Sequence, residues 1–137
     1  MIMLAIPLPP SANKIWRQQT KGRGAPFLSP VYTAWQQEAG WSITGTHVER
    51  IEGPYAICIH VPHDMAGDID NRVKPILDLC KKHVTDDDKH CWDQRIVRSP
   101  GVPTGTCVVQ IWNSTPAGDA GVVRPGAGLA PAPIPAI

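Results

Sequence analysis

A proline near the start of an amphipathic pattern limits where one helix of this 137-residue chain can begin. Apolar residues recur at helical spacing around that proline, at Ile69, Val73, Ile76, Leu77 and Cys80. A proline inside a helix loses a backbone hydrogen bond and clashes with the preceding turn, so Pro75 must lie near the first turn. We therefore expect a helix from about residue 71 to about residue 83, with Asp70 or Asn71 as its N-cap.

The residues just before this helix read "GDIDN", 67–71, and place two carboxylates two positions apart. In an extended chain, residues i and i+2 share a face, so Asp68 and Asp70 are expected to project together. Two convergent carboxylates repel each other unless a cation or a proton lies between them. Oxygen ligands of this kind suit Mg²⁺ or Mn²⁺. A solvated turn with a helix cap is the alternative, and the D-x-D spacing alone does not decide between the two.

Two further sets of charges lie close to this pair in the sequence. Lys74 follows Asp70 by four residues, so it could pair with that aspartate, touch a phosphate or neutralise charge in a transition state. The run "TDDDKH", 85–90, follows the helix and contains three adjacent aspartates. Such a run is usually a solvated turn, but beside another acidic pair it could supply a third or fourth metal ligand.

The apolar patterns of the whole chain predict a small α+β fold. A first helix is expected at about 30–45, and strands are expected at 2–8, 53–62, 95–100 and 105–112. The order β-α-β-α-β-β indicates one mixed sheet with two helices packed on it. Residues 1–112 form this single domain, and the Pro/Ala/Gly-rich stretch 113–137 is expected to be a flexible tail.

Charge is distributed unevenly along the chain, although the total is nearly balanced at 13 Lys and Arg against 12 Asp and Glu. No acidic residue precedes Glu38, whereas Lys14, Arg17, Lys21 and Arg23 all lie before it. A nuclease needs both a basic arm that attracts phosphates and an acidic cluster that holds metal. A solvated basic loop is the alternative.

Cysteine and histidine spacing argues against zinc and against disulfides. The four cysteines form no CxxC pair and fall within apolar patterns, as reduced and buried thiols do. The histidines show no HxxxH or HExxH spacing. The N-terminal "MIMLAIPLPP" is short, lacks a basic segment and is broken by prolines, so it indicates a strand and not a signal peptide or membrane span. These features predict a cytoplasmic protein that does not bind a membrane.

Three segments together resemble the RusA family of Holliday junction resolvases: "PLPPSANKIWR" (7–17), "GDIDNRVKPILD" (67–78) and "DDKHCWDQRIV" (87–97). That family has a PPSxN-type loop after its first strand, a D-x-D-N-x-x-K segment that opens a helix, and an Asp-Asp pair further along the chain. The resemblance covers roughly residues 3–112 and leaves out the tail.

The resemblance implies a homodimeric endonuclease that depends on Mg²⁺, or on Mn²⁺ in its place, and nicks two strands of a four-way DNA junction symmetrically. It implies Asp68, Asp70 and Asp88 as catalytic metal ligands, with Asp87 in place of Asp88 if the register slips by one residue. Lys74 matches the helix lysine of the family and would stabilise charge on the phosphate.

Contacts with DNA are expected from the basic positions and from those that match the family's loop and helix start. These positions are Ser11, Asn13, Lys14, Arg17, Lys21, Arg23, Asn71 and Arg72. Three other functions stay open at this point. The protein could bind branched DNA without cutting it, it could cut flaps or forks, or it could be a nucleotide-sugar enzyme that uses the D-x-D pair. The chain lacks the Gly-rich phosphate loop that would support the last of these.

Overall fold

The computed structural model describes residues 1–17 and 27–114. The strands are β1 (Ile2–Pro7), β2 (Trp16–Arg17), β3 (Phe27–Leu28), β4 (Tyr55–Pro62), β5 (Cys91–Ser99) and β6 (Thr106–Asn113), and the helices are α1 (Pro30–Thr44) and α2 (Val73–His83). Neither helix in these two ranges has the length and hydrophobicity needed to cross a bilayer. Lys21 and Arg23, and nearly all of the predicted tail, lie outside the described residues.

Four strands form one mixed sheet in the order β1-β6-β4-β5. Strand β4 pairs antiparallel with β6 and parallel with β5, and α2 lies in the connection between the two parallel strands. Strand β1 completes the sheet by pairing antiparallel with β6, and β2 and β3 form a separate hairpin. The predicted α+β fold, with one mixed sheet and two helices, is therefore confirmed.

The core lies between the sheet and the two helices. Every residue of β4 is buried, and its alternate residues Ile57, Ile59 and Val61 belong to the same buried cluster as Ile76 and Leu79 of α2. Both helices and three of the four predicted strands lie close to their predicted positions. The exception is β5, which begins at Cys91 and not at residue 95.

A buried serine fixes the start of α1 and ties it to the first loop. The Ser29 hydroxyl accepts a hydrogen bond from the Tyr32 N–H at 3.2 Å, which makes Ser29 the N-cap of α1. The same hydroxyl donates to the Lys14 carbonyl oxygen at 2.6 Å, and the Ser29 N–H donates to the Ile15 carbonyl oxygen at 2.8 Å. The loop residues just before β2 are thereby held against the helix.

Replacing Ser29 with alanine should lower the free energy of unfolding by about 1–2 kcal/mol, because a buried cap and a hydrogen bond between distant segments are both lost. Urea denaturation measures this change. Ser42→Ala is the matched control, since it removes an exposed hydroxyl of the same helix that only donates to the Glu38 carbonyl oxygen. We expect that control to stay within about 0.5 kcal/mol of the wild type. Equal losses in the two variants would contradict the capping role.

Candidate active site

Residues 67–71, which contain Asp68 and Asp70, are called the acidic segment below. An arginine of β5 holds the loop between β4 and this acidic segment. Arg98 Nη1 donates to the carbonyl oxygens of Met65 at 2.6 Å and of His63 at 3.3 Å, and its Nη2 donates to that of Gly67 at 2.8 Å. Gly67 has a φ of 84°, a left-handed conformation that glycine adopts without the steric cost of a β-carbon. Because Gly67 immediately precedes Asp68, Arg98 fixes the position from which the acidic segment starts.

The prediction that Asp68 and Asp70 project from one face of an extended chain is wrong. Asp68 has an extended backbone, with φ −79° and ψ 134°, but Asp70 lies inside the 3₁₀ turn Ile69–Arg72 that precedes α2. Pro75 does lie in the first turn of α2, as expected, and the 3₁₀ turn continues the coiled backbone towards Asp70. Arg72, and neither Asp70 nor Asn71, occupies the cap position of α2.

The carboxylates of Asp68 and Asp70 are both exposed. Within residues 1–17 and 27–114, neither carboxylate takes part in a hydrogen bond or an ion pair. Their oxygens are therefore available to an external cation or to solvent.

Lys74 brings Asp88 to the first turn of α2. Lys74 Nζ donates to Asp78 Oδ1 at 3.0 Å and lies 3.8 Å from Asp88 Oδ2. The hydrogen bond with Asp78 raises the pKa of Lys74, so its charge is secure at neutral pH. Lys74 therefore pairs with Asp78 and not with Asp70, and its side chain remains 62% exposed.

Asp87 is directed towards other cations. Its Oδ1 accepts a hydrogen bond from the Lys89 N–H at 3.1 Å, which caps the 3₁₀ turn Asp88–His90. Its carboxylate oxygens also lie 3.9 Å from Lys81 Nζ and 3.8 Å from Lys89 Nζ. The backbone hydrogen bond from Lys89 contributes most to lowering the pKa of Asp87. Asp88, the aspartate that the resemblance favours over Asp87, is the one beside Lys74.

Asp86 anchors the same turn from the other side. Its Oδ1 accepts a hydrogen bond from His90 Nδ1 at 2.7 Å, and its Oδ2 accepts one from the Gly53 N–H at 3.2 Å. These bonds, with that from His90 the larger, lower the pKa of Asp86 to about 2. The turn that carries Asp88 is thus linked to the segment that leads into β4.

The Asp86 contacts predict a loss of stability in acid. The folded pKa of Asp86 lies below its ordinary value of 3.8, so its contribution to stability is present above about pH 4 and disappears as the pH falls towards 2. Asp86→Asn should therefore reduce the difference in unfolding free energy between about pH 5 and about pH 2. Urea denaturation at both pH values tests this, and His90→Ala should have a similar effect. An unchanged pH dependence in Asp86→Asn would contradict the assignment.

The loop after β1 lies against the acidic segment. Arg72 Nη1 donates to the Pro9 carbonyl oxygen, and the 3₁₀ turn Ala12–Lys14 contacts the turn Ile69–Arg72. Burial lowers the pKa of Arg72. Part of the Arg72 guanidinium is therefore committed to holding the loop, although the sequence predicted a DNA contact for it.

The other predicted DNA contacts lie in different surroundings. The Ser11 hydroxyl accepts a hydrogen bond from the Asn13 N–H at 3.3 Å and caps the first 3₁₀ turn. The side chains of Asn13 and Lys14 are exposed, and Asn71 is half-buried in the second turn. Arg17 lies in β2, next to residues that the structure does not describe.

The predicted set of three carboxylates is not assembled as a ready metal site. Among the described residues, no group of three or more His, Cys, Asp or Glu side chains is arranged to hold a metal ion. Mg²⁺ commonly binds through one or two carboxylates and completes its shell with water and substrate phosphates. The exposed oxygens of Asp68 and Asp70, which have no partner within the described ranges, have the chemistry that Mg²⁺ requires, and Asp88 lies beside Lys74.

No protein-family model matches this chain, and no curated protein matches it. The resemblance to the RusA family therefore depends on the three segments quoted above.

Proposed function

We propose that this protein is a structure-specific endodeoxyribonuclease that resolves four-way DNA junctions by paired nicks in recombination and repair. The observation that carries the proposal is the 3.8 Å approach of Lys74 Nζ to Asp88 Oδ2. That contact joins the turn after α2 to its first turn, directly after the segment that contains Asp68 and Asp70. Arg72 Nη1 donates to the Pro9 carbonyl oxygen and so holds the loop after β1 near the same end of α2.

The proposed reaction is hydrolysis of a phosphodiester bond. A bond forms between phosphorus and a water oxygen, the bond from phosphorus to one sugar oxygen breaks, and that oxygen takes up a proton. Mg²⁺, or Mn²⁺, would be held by Asp68, Asp70 and Asp88, and when bound it would activate water and stabilise the leaving oxygen.

Lys74 would contribute a fixed positive charge to this reaction. Its hydrogen bond with Asp78 favours the protonated form further, and its side chain is exposed to an approaching phosphate oxygen. Extra negative charge builds up on the phosphate oxygens in the transition state, and a neighbouring cation stabilises that charge more than it stabilises the ground state.

The proposed assembly is a homodimer on branched DNA. A four-way junction has two-fold symmetry, and a dimer with one site per subunit matches that symmetry. Exposed Lys14 and Asn13 would contact backbone phosphates near the site.

We place the protein in the cytoplasm, where free thiols persist, because its four cysteines are free.

A second candidate function is binding of branched DNA without cleavage. It is favoured by the lack of a ready three-carboxylate group among the described residues and by the partners that these aspartates already have: His90 for Asp86, and lysines for Asp87 and Asp88. In that case the aspartates would serve as caps and as solvated residues of turns, and the loop after β1 would still contact DNA.

The decisive experiment incubates an end-labelled four-way junction with the protein in Mg²⁺ or in EDTA. We expect a shifted band in both conditions and symmetric paired nicks only with Mg²⁺. A shift without nicks would overturn the proposed nuclease and establish the binding module. Flap and fork substrates run in parallel would reveal whether another branched structure is cut faster.

A further inference from the structure

A groove of about 630 Å³ lies beside Lys74, and the proposed function does not use it. Three apolar or aromatic residues line one part of it: Ile15 before β2, Leu28 of β3 and Tyr32 of α1. Ile15 and Tyr32 are buried, whereas Leu28 is 40% exposed and offers an apolar contact surface. The groove thus has an apolar floor.

The other side of the groove belongs to α2 and carries mainly positive charge. It contains Lys74, Lys81 and Lys82 against the single acid Asp78. Lys74 is bonded to Asp78, and Lys81 lies 3.9 Å from Asp87. Lys82 has no hydrogen-bond or ion-pair partner among the residues that the structure describes. A ligand of this groove must therefore combine negative charge with an apolar face.

We propose that the groove binds unpaired nucleotides of a DNA strand. In a duplex the base faces are covered by stacking, so an apolar floor has nothing to bind, whereas an unpaired base can bury its face there while lysines bind its phosphates. Lys74 lines the groove and also lies 3.8 Å from Asp88, so a strand in the groove would pass next to the proposed cleavage site. This inference rests on the proposed function: a four-way junction is base-paired throughout, so the groove would receive nucleotides that the protein unpairs at the branch point, next to the proposed cleavage site.

The test measures binding of a fluorescent oligothymidylate by anisotropy in EDTA, so that no cleavage takes place. Leu28→Asp should weaken binding by about tenfold, because the apolar contact is replaced by a charge that repels phosphate. Met3→Asp is the matched control: Met3 is 41% exposed on β1, outside the groove. Binding by that control should stay within about twofold of the wild type. Thermal melts establish that both variants are folded.

The charge contribution is tested through salt dependence. Lys82→Gln should reduce the slope of log K against log salt concentration by about 0.7, the value expected for one lost phosphate contact on single-stranded DNA. Arg95→Gln, on β5 and outside the groove, should leave the slope unchanged. Failure of the wild type to bind the oligonucleotide, or wild-type binding by both groove variants, would overturn the inference. Either result leaves the Mg²⁺-dependent nicking assay to decide the proposed function separately.

Discussion

Asp70→Asn is expected to reduce nicking of a four-way junction by at least about 100-fold while leaving binding of the junction intact. The Asp70 carboxylate is exposed and has no partner among the described residues, so asparagine removes its charge without breaking an internal contact. An amide of the same size is a far poorer ligand for Mg²⁺ than a carboxylate. Single-turnover nicking in Mg²⁺ and band shifts in EDTA measure the two effects separately.

Asp64→Asn is the matched control for this variant. Asp64 is also exposed and lies in the loop just before the acidic segment, and its one hydrogen bond to the described part of the chain is from the Thr104 hydroxyl, at 3.2 Å. The substitution removes the same charge from a nearby position, and we expect nicking at the wild-type rate. Wild-type nicking by Asp70→Asn would exclude Asp70 as a metal ligand, and an equal loss in both variants would trace the effect to net charge.

The sequence was sufficient to predict the fold because its strongest signals are local. The apolar run of β4 and the helical spacing around Pro75 each identify an element without knowledge of its neighbours. The start of β5 was missed because β5 is an edge strand of the sheet. Its first residues alternate between half-buried and exposed and include Asp93 and Gln94, which a search for apolar strands passes over.

The sequence identifies the residues of the candidate site but not the contacts that these residues make. Lys74 is four residues from both Asp70 and Asp78, so spacing does not identify its ion-pair partner. The structure shows that the partner is Asp78, with Asp88 also nearby, while Asp70 lies in the preceding 3₁₀ turn. The choice between an extended segment and a 3₁₀ turn at Asp70 is likewise outside the reach of spacing. It depends on the bonds that hold the neighbouring loops, which come from distant parts of the chain.

Arg98 was missed for the same reason. No motif surrounds it in the sequence, and it reaches the loop before Asp68 only because β5 pairs in parallel with β4. From the sequence alone, a single arginine on a predicted strand is expected to point into solvent. The role of Arg98 can be recognised only once the topology of the sheet is known.

Arg98→Lys is expected to lower the free energy of unfolding by about 1–3 kcal/mol and to slow nicking by about tenfold or more. The planar guanidinium donates to three loop carbonyl oxygens, and one ammonium group cannot reproduce that geometry although it keeps the charge. Loosening the loop would displace Asp68 and Asp70, so the Mg²⁺ concentration for half-maximal nicking should rise. Urea denaturation and a Mg²⁺ titration of the nicking rate measure the two effects.

The Mg²⁺ titration separates a positioning role from a general loss of folded protein. Irreversible loss of protein lowers the maximal rate without changing the Mg²⁺ requirement, and a small reversibly unfolded population changes that requirement negligibly. A displaced acidic segment raises the requirement in molecules that remain folded. Arg95→Lys on the same strand is the control, because Arg95 bonds to the neighbouring Asp93, at 3.2 Å and 3.5 Å, and within the described ranges it makes no hydrogen bond to the loop. We expect it to change neither quantity. A normal Mg²⁺ requirement in Arg98→Lys would show that the carbonyl contacts stabilise the loop without positioning the aspartates.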